Sequence, residues 1–332
     1  MLSAVNLRKV YITKEKQGIF RTWKKEVIAV ESLDLEIKPG EIVGLLGING
    51  AGKTTTIKML STLLLPTAGS IVIDGIDALK EPMKVKKMVN MIAGGERMLY
   101  WRLTARENLS YFGSLYGLNG KALTDRIAFL LKEVELEEAA DIPVERYSKG
   151  MKQRLQIARG LINDPCYLFL DEPTLGLDAP IAKHLREYIR HLAVQEGKGI
   201  LLTSHYLSEV EALCNRVYII DRGALVLHDT PENIIRDVSA GAILSVWVSE
   251  LQNTMLESLT KVLLPFEASL TVIKQSDGVE LRVQSKQDVT ALVLQHLFEH
   301  GVTLQRLEVE KPKLEDAILT LAGRAVAARE TA

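Results

Sequence analysis

Residues 47–54 read G-I-N-G-A-G-K-T and match the pattern G-x-x-x-x-G-K-[ST]. In such a run, Gly47, Ile48, Asn49, Gly50, Ala51 and Gly52 curl the backbone until successive N–H groups converge on phosphate oxygens. Lys53 adds a positive charge for the outer phosphates, Thr54 offers a hydroxyl to Mg²⁺, and Thr55 continues the binding set into the following helix. A second group lies far along the chain. C166-Y-L-F-L-D-E-P-T reads as a buried strand ending in two acids, Asp171 and Glu172. Asp171 at the strand tip can hold Mg²⁺ through water, and Glu172 can polarise an attacking water. Acid pairs at strand ends also cap helices; the phosphate loop upstream favours the catalytic reading. Asp178 follows in L-G-L-D and can line the same cleft. I200-L-L-T-S-H205 is another apolar strand ending in polar residues, and its histidine either caps a helix or contacts phosphate. A second helix start, Y-S-K-G-M-K-Q-R at 147–154, places a hydroxyl and a glycine where helix amides attract anions.

These residues need a sheet to hold them. Residues 1–230 alternate β-branched runs with helical patterns, which predicts an α/β fold on a largely parallel sheet. Strands are expected at 42–46, 71–73, 167–170, 200–203 and 217–220. The last three lack alternation, as strands covered on both faces do. Helices are expected at 55–64, 105–116, 121–134, 150–163, 179–196 and 206–213. Residues 14–26 (K-E-K-Q-G-I-F-R-T-W-K-K-E) interrupt a strand-like N-terminus. They read as a solvated basic loop or hairpin, or as a contact for lipid headgroups or a membrane partner through Phe20 and Trp23. Beyond Thr230 the order becomes β-α-β-β-α-β, with strands at 242–248, 270–274, 279–283 and 304–310 and helices at 249–262 and 287–300. A helix at 314–322 closes it. That order predicts a small ferredoxin-like α+β domain over 231–332.

Bulk properties exclude several classes. The chain has 332 residues, a formal net charge of −1 and two cysteines. There is no basic footprint for nucleic acid, no run long enough to span a membrane, and no secretory leader in the first residues. A disulfide framework is unsupported, and a reducing cytosolic compartment fits. His296 and His300 lie four apart without a third ligand nearby, and read as surface residues. Tyr100, Trp101, Tyr111, Phe112 and Tyr116 crowd one short stretch. They form either a small core under helices or a groove for a helix of a membrane permease.

Taken in order, G-I-N-G-A-G-K-T-T, Y-S-K-G-M-K-Q-R, L-F-L-D-E-P-T-L-G-L-D and L-T-S-H resemble the nucleotide-binding subunit of an ATP-binding cassette (ABC) transporter, over residues 1–230. The C-terminal domain ending in P-K-L-E-D-A-I-L-T-L is similar to the ABC-2 export branch. The resemblance implies a P-loop NTPase fold, ATP and Mg²⁺ as ligands, and a helical subdomain at about 96–160. It implies Glu172 as general base, His205 as γ-phosphate switch, and Tyr11 as the residue stacking on adenine. Ser148, Gly150 and Asp178 would act in trans, on ATP held by a second copy or a homologous subunit. It also implies an integral membrane permease of ABC-2 type as partner, no nucleic acid, and a cytoplasmic position on the inner face of the membrane. Two departures stand out. Lys149, Gly150 and Met151 occupy positions where the family usually has two glycines and glutamine; Ser148 and Gly150 preserve the hydroxyl and the close backbone approach. In the segment 91–109 the family's glutamine position falls on Gly95, beside Glu96, whose carboxylate would repel the γ-phosphate unless Mg²⁺ intervenes.

Three function classes compete. A transport-coupled ATPase fits all four motifs. A soluble ABC protein of translation or chromosome maintenance would carry two cassettes or long coiled coils, which this chain lacks. A nucleotide-sensing regulator with little turnover would fit the missing glutamine.

Overall fold

The computed structural model describes residues 1–17, 21–93, 99–239, 241–249, 251, 253–275 and 278–321; of residues 14–17, 21–24, 253 and 275 it describes the backbone alone. The chain divides into two compact units, Met1–Thr230 and Pro231–Ala332.

In the first unit the strands are β1 (Leu2–Gln17), β2 (Arg21–Ile37), β3 (Ile42–Leu46), β4 (Ala68–Ile73), β5 (Ile76–Asp77), β6 (Val89–Ala93), β7 (Tyr167–Asp171), β8 (Gly199–Thr203), β9 (Arg216–Asp221) and β10 (Ala224–Asp229). They form one sheet in the order β5-β4-β1-β2-β10-β9-β3-β8-β7-β6. The run β9-β3-β8-β7-β6 is parallel throughout. Strands β3 and β8 are buried along their whole length, and for β8 this is the reason its residues show no alternation. Register aligns the strand tips: Ala93 of β6 lies beside Asp171 of β7, and Asp171 beside Thr203 of β8. Ligands of such sheets bind outside the carboxyl ends of the strands.

The sheet is less parallel than expected. Residues 71–73 belong to β4, which pairs antiparallel with β1 through Leu2↔Ile73 and Ala4↔Ile71. Of the alternatives for the basic stretch at 14–26, the hairpin is the one seen among the described residues: β1 and β2 stay paired antiparallel from Thr13↔Lys25 to Gln17↔Arg21. Phe20 lies outside the described residues, as does the side chain of Trp23.

Seven helices of the first unit are described: α1 (Lys53–Leu60), α2 (Pro82–Met88), α3 (Ala105–Leu115), α4 (Gly120–Glu133), α5 (Lys149–Gly160), α6 (Ala179–Val194) and α7 (Leu207–Leu213). Helix α3 starts at a capping box in which the Thr104 hydroxyl accepts from Glu107 N–H and the Glu107 carboxylate accepts from Thr104 N–H. Gly113 lets α4 approach closely, since a Cβ there would lie 2.3 Å from Leu123.

The second unit contains α8 (Pro231–Val238), β11 (Ala242–Val248), α9 (Asn253–Leu263), β12 (Ser269–Gln275), β13 (Gly278–Ser285), α10 (Thr290–Glu299) and β14 (Leu304–Glu310). Its sheet runs β12-β13-β11-β14, with every pairing antiparallel. Leu259 and Leu263 of α9 and Val293 and Leu297 of α10 pack in one core with Val246, Leu281 and Val283.

Candidate functional site

The loop after β3 turns sharply because glycines permit two backbone contacts. A Cβ on Gly47 would lie 2.3 Å from the carbonyl oxygen of Ile220. Gly52 has φ 104°, and a Cβ there would lie 2.4 Å from the carbonyl oxygen of Ala29. Gly52 is also the N-cap of α1 and offers no side-chain acceptor to the first-turn amides. Lys53 Nζ donates to the carbonyls of Gly47 at 2.6 Å and Ile48 at 3.3 Å, so the cation lies back along the loop. Burial pulls the Lys53 ammonium below its ordinary pKa, while Glu172 and Asp171 act in the opposite direction.

Residues 49–55 and Ala29 line one side of a cleft of about 260 Å³; Asp171, Glu172 and His205 line the other. Asp171 uses both carboxylate oxygens. Oδ2 accepts from Thr54 Oγ1 at 3.2 Å, and Oδ1 accepts from Thr203 Oγ1 at 2.6 Å. Glu172 turns out of the strand with φ 56°, a left-handed conformation that non-glycine residues rarely hold. Its N–H donates to the Thr203 carbonyl at 3.1 Å and reaches Thr203 Oγ1 at 3.2 Å. Its Oε2 accepts from His205 N–H at 3.0 Å, and Oε1 lies 3.3 Å from His205 Nε2. Burial raises the Glu172 carboxyl above the usual range; the His205 N–H and ring oppose this, and Asp171 adds to it.

Thr203 therefore holds both acids, yet it went unassigned from sequence. The available signal was its place at the tip of a buried strand, where a hydroxyl has no other obvious partner. Tyr11 is exposed on β1, with Lys9 Nζ 5.5 Å from its ring centroid, and it does not line the cleft. Gly95 and Glu96 lie outside the described residues.

The second helix start is built differently. Ser148 is the N-cap of α5, and its hydroxyl accepts from Met151 N–H at 3.2 Å. Gly150 is buried against α6, where a Cβ would lie 2.7 Å from Ile181 Cδ1. Ser148 and Gly150 line a separate cavity of about 510 Å³ with residues of α4, α5 and α6, and no residue of the Lys53 cleft borders it. Asp178 is exposed at the N-cap of α6 and lines neither cavity. One chain thus gathers Lys53, Thr54, Asp171, Glu172 and His205, and leaves Ser148, Gly150 and Asp178 elsewhere.

The aromatic stretch divides in two. Tyr100, Trp101 and Tyr111 are 48%, 48% and 43% exposed. Tyr100 and Tyr111 meet edge to face at 5.0 Å, and Trp101 receives Lys152 Nζ at 4.7 Å. Phe112 turns inward and carries the guanidinium of Arg159 at 5.2 Å. Arg159, buried in α5, also donates through Nη2 to the carbonyl of Met91 on β6 at 2.7 Å. Burial lowers its pKa to about 10.

Comparison with known proteins agrees with this geometry. Residues 30–175 match the ABC transporter family. The chain is 42% identical over 232 residues to the ABC transporter ATP-binding protein NatA of Bacillus subtilis (strain 168), covering 70% of this chain and 94% of that one. It is 34% identical over 324 residues to the linearmycin resistance ATP-binding protein LnrL of the same organism, covering 98% and 99%. Among solved structures, a dimeric ATP-binding cassette in a post-hydrolysis state with ADP and Pi superposes with a TM-score of 0.60 at 26% identity, covering 69% of this chain and 98% of that one. With a phosphate loop, two acids and a histidine converging on one cleft of a P-loop NTPase fold, the chain belongs to the ABC transporter family, as an ATP-binding and ATP-hydrolysing subunit.

Proposed function

We propose that the Lys53 cleft and the Ser148 helix start are two halves of one ATP site, completed when two copies of this chain, or this chain and a homologous subunit, meet head to tail. The observation that carries this reading is their separation into different cavities of one chain. A helix N-terminus with a hydroxyl, far from its own phosphate loop, can serve the nucleotide of a neighbour. The dimeric state of the cassette among the structural neighbours supports pairing of two such chains.

In this reading residues 47–55 cradle the phosphates, with Lys53 released from the Gly47 and Ile48 carbonyls to the outer phosphate oxygens. Tyr11 stacks on adenine. The oxygens of Thr54 and Asp171 stand together beside the loop, and that donor chemistry fits Mg²⁺. The ion would neutralise charge on the β- and γ-phosphates. Glu172 takes a proton from water as the water oxygen bonds to the γ-phosphorus; the bond to the bridging oxygen breaks, and ADP and phosphate leave. The raised carboxyl of Glu172 suits a base that must accept a proton. His205, tied to Glu172 through both its N–H and its ring, contacts the γ-phosphate. Across the interface, Ser148 and Gly150 bind that phosphate, and Asp178 contacts the partner subunit.

Residues 1–230, with a helical subdomain near 96–160, form the ATP-binding domain in this reading. Residues 231–332 form an accessory ferredoxin-like domain, consistent with their order of elements and antiparallel sheet. The linearmycin resistance associated with the relative LnrL supports export as the direction. No helix among the described residues is long and apolar enough to cross a membrane. Movement of substrate is therefore assigned to a separate permease of ABC-2 type, docked near the exposed Tyr100, Trp101 and Tyr111. The chain would act on the cytoplasmic face of the membrane. The post-hydrolysis neighbour argues against a sensor without turnover.

Glu172→Gln tests the proposal. Phosphate release should fall by roughly 10²–10⁴-fold, the usual contribution of a positioned base. ATP with Mg²⁺ should then accumulate a dimer in light scattering. Turnover that survives, or a mass that stays monomeric at millimolar ATP, would refute it.

A further inference from the structure

Behind the Glu172–His205 pair lies a buried carboxylate that the chemistry above does not use. Glu209, on α7, is 2% exposed. Its Oε2 accepts two hydroxyls, Thr174 Oγ1 at 2.9 Å and Ser204 Oγ at 2.6 Å. Thr174 stands two residues after Glu172, and Ser204 immediately precedes His205. Ser204 Oγ in turn accepts from Tyr206 N–H at 3.0 Å, so both residues flanking His205 are engaged. One oxygen atom thus joins the loop that carries the base to the loop that carries the switch. The other oxygen, Oε1, is buried with no hydrogen-bond partner. A buried carboxylate with one oxygen unpaired by protein groups is a poor stabiliser of the fold.

The geometry points to Glu209 as a positioning residue for hydrolysis: it braces the loops of Glu172 and His205 at the separation that lets the two side chains act together. This rests on the roles given above to Glu172 and His205. With the brace in place, Glu172 stays within hydrogen-bond reach of both His205 N–H and Nε2. Without it, Thr174 and Ser204 hold hydroxyls that have lost their common acceptor, and the loops re-pair independently. Displacement of a base by a fraction of an ångström lowers turnover while the phosphate loop, on the other side of the cleft, still binds nucleotide.

The test compares Glu209→Ala, Glu209→Gln and the double variant Thr174→Val/Ser204→Ala in the full chain. Steady-state phosphate release, affinity for a fluorescent ATP analogue and thermal unfolding are measured for each. Glu209→Ala should lower kcat by roughly 10- to 100-fold, the scale of small misplacements, with KM and analogue affinity unchanged. Glu209→Gln keeps an oxygen acceptor for both hydroxyls and should restore most of kcat. The double variant should reproduce the loss, and adding Glu209→Ala to it should lower kcat little further. A kcat for Glu209→Ala close to wild type, or a Gln variant as slow as the Ala variant, overturns the proposal. A loss that tracks thermal midpoint or analogue affinity does the same. If Glu209→Ala fails to fold, the hydroxyl variants decide. If Glu172→Gln turns over normally, the catalytic reading falls and the brace with it; if Glu172→Gln is inactive and Glu209→Ala is normal, only the brace falls.

Discussion

Two helix starts in the first unit face the same physical problem and solve it in opposite ways. Helix α1 begins at a left-handed glycine with no side-chain cap, follows it with Lys53, and is met across the cleft by Asp171, Glu172 and His205. Helix α5 begins at a serine that satisfies its own Met151 amide, and no group of the Lys53 cleft lies in its cavity. The first gathers its cation, hydroxyl and acids around one cleft of a single chain. The second is a self-contained terminus that makes sense as a recognition surface for something delivered to it. The two starts thus differ in what surrounds them: α1 has no side-chain cap, whereas the Ser148 hydroxyl takes up one first-turn amide of α5.

Substitutions that strike one start and spare the other sharpen this contrast. The largest effect is expected for Lys53→Ala. Hydrogen bonds to charged groups are worth about 1.5–3 kcal/mol, so ATP affinity of the isolated chain should fall by roughly 100-fold. Equilibrium titration with a fluorescent ATP analogue measures it; unchanged affinity would remove the distinction between the two starts. Ser148→Ala should leave that monomer affinity intact. It should weaken ATP-driven dimerisation by about tenfold for each of the two sites of a homodimer, the worth of one hydrogen bond at each, as read by sedimentation with Glu172→Gln as background. The same change removes a cap, at a cost of about 1 kcal/mol, which calorimetry should register as a lower melting temperature. If Ser148→Ala weakens monomer binding as Lys53→Ala does, both starts serve one nucleotide in one chain.

The smallest effect is in pH dependence. In the proposed mechanism turnover needs the Glu172 carboxylate ionised, and burial holds its pKa above the ordinary 4.5. Activity should therefore fail on acidification at a higher pH than an ordinary glutamate would allow. Stability follows with a definite sign. A folded value above the unfolded one favours the protonated folded state, and this advantage, full below the unfolded value, is lost as pH rises past the folded value. Glu172→Gln should accordingly be at least as stable as wild type at neutral pH, and a urea midpoint lower than wild type there would contradict this.

Much of the first start was legible in the residues themselves, because its parts are local: glycines, lysine and threonine follow one another and need only a strand before and a helix after. The acids were legible because a buried strand ending in Asp-Glu is conspicuous. Thr203 and Glu209 were not, because their meaning comes from neighbours brought by register and packing. Asp171 lies 32 residues before Thr203, and Thr174 lies 35 before Glu209. Strand β6 went unread because V-N-M-I-A is short and carries an asparagine, whose amide here meets Asn163. Strand β10 was missed because A-L-V-L-H-D follows β9 after a tight turn and merges with it in composition. The paired continuation of β1 and β2 into the basic stretch was half legible: the residues allowed a loop or a hairpin, since charged side chains on a two-stranded ribbon resemble those of a loop.

Helix α5, which Ser148 opens, spans Lys149–Gly160, about 18 Å at 1.5 Å per residue. Near its far end Arg159 clasps the backbone of β6 and lies on Phe112. The strand it clasps leads into residues 94–98 and ends beside Asp171. In the proposed dimer the helix is a crossbar, with the partner's phosphate at the Ser148 tip and the edge strand fastened near the other. A tilt at the serine end would thus reach the Arg159 clasp, which adjoins Tyr100 and Tyr111 through Phe112.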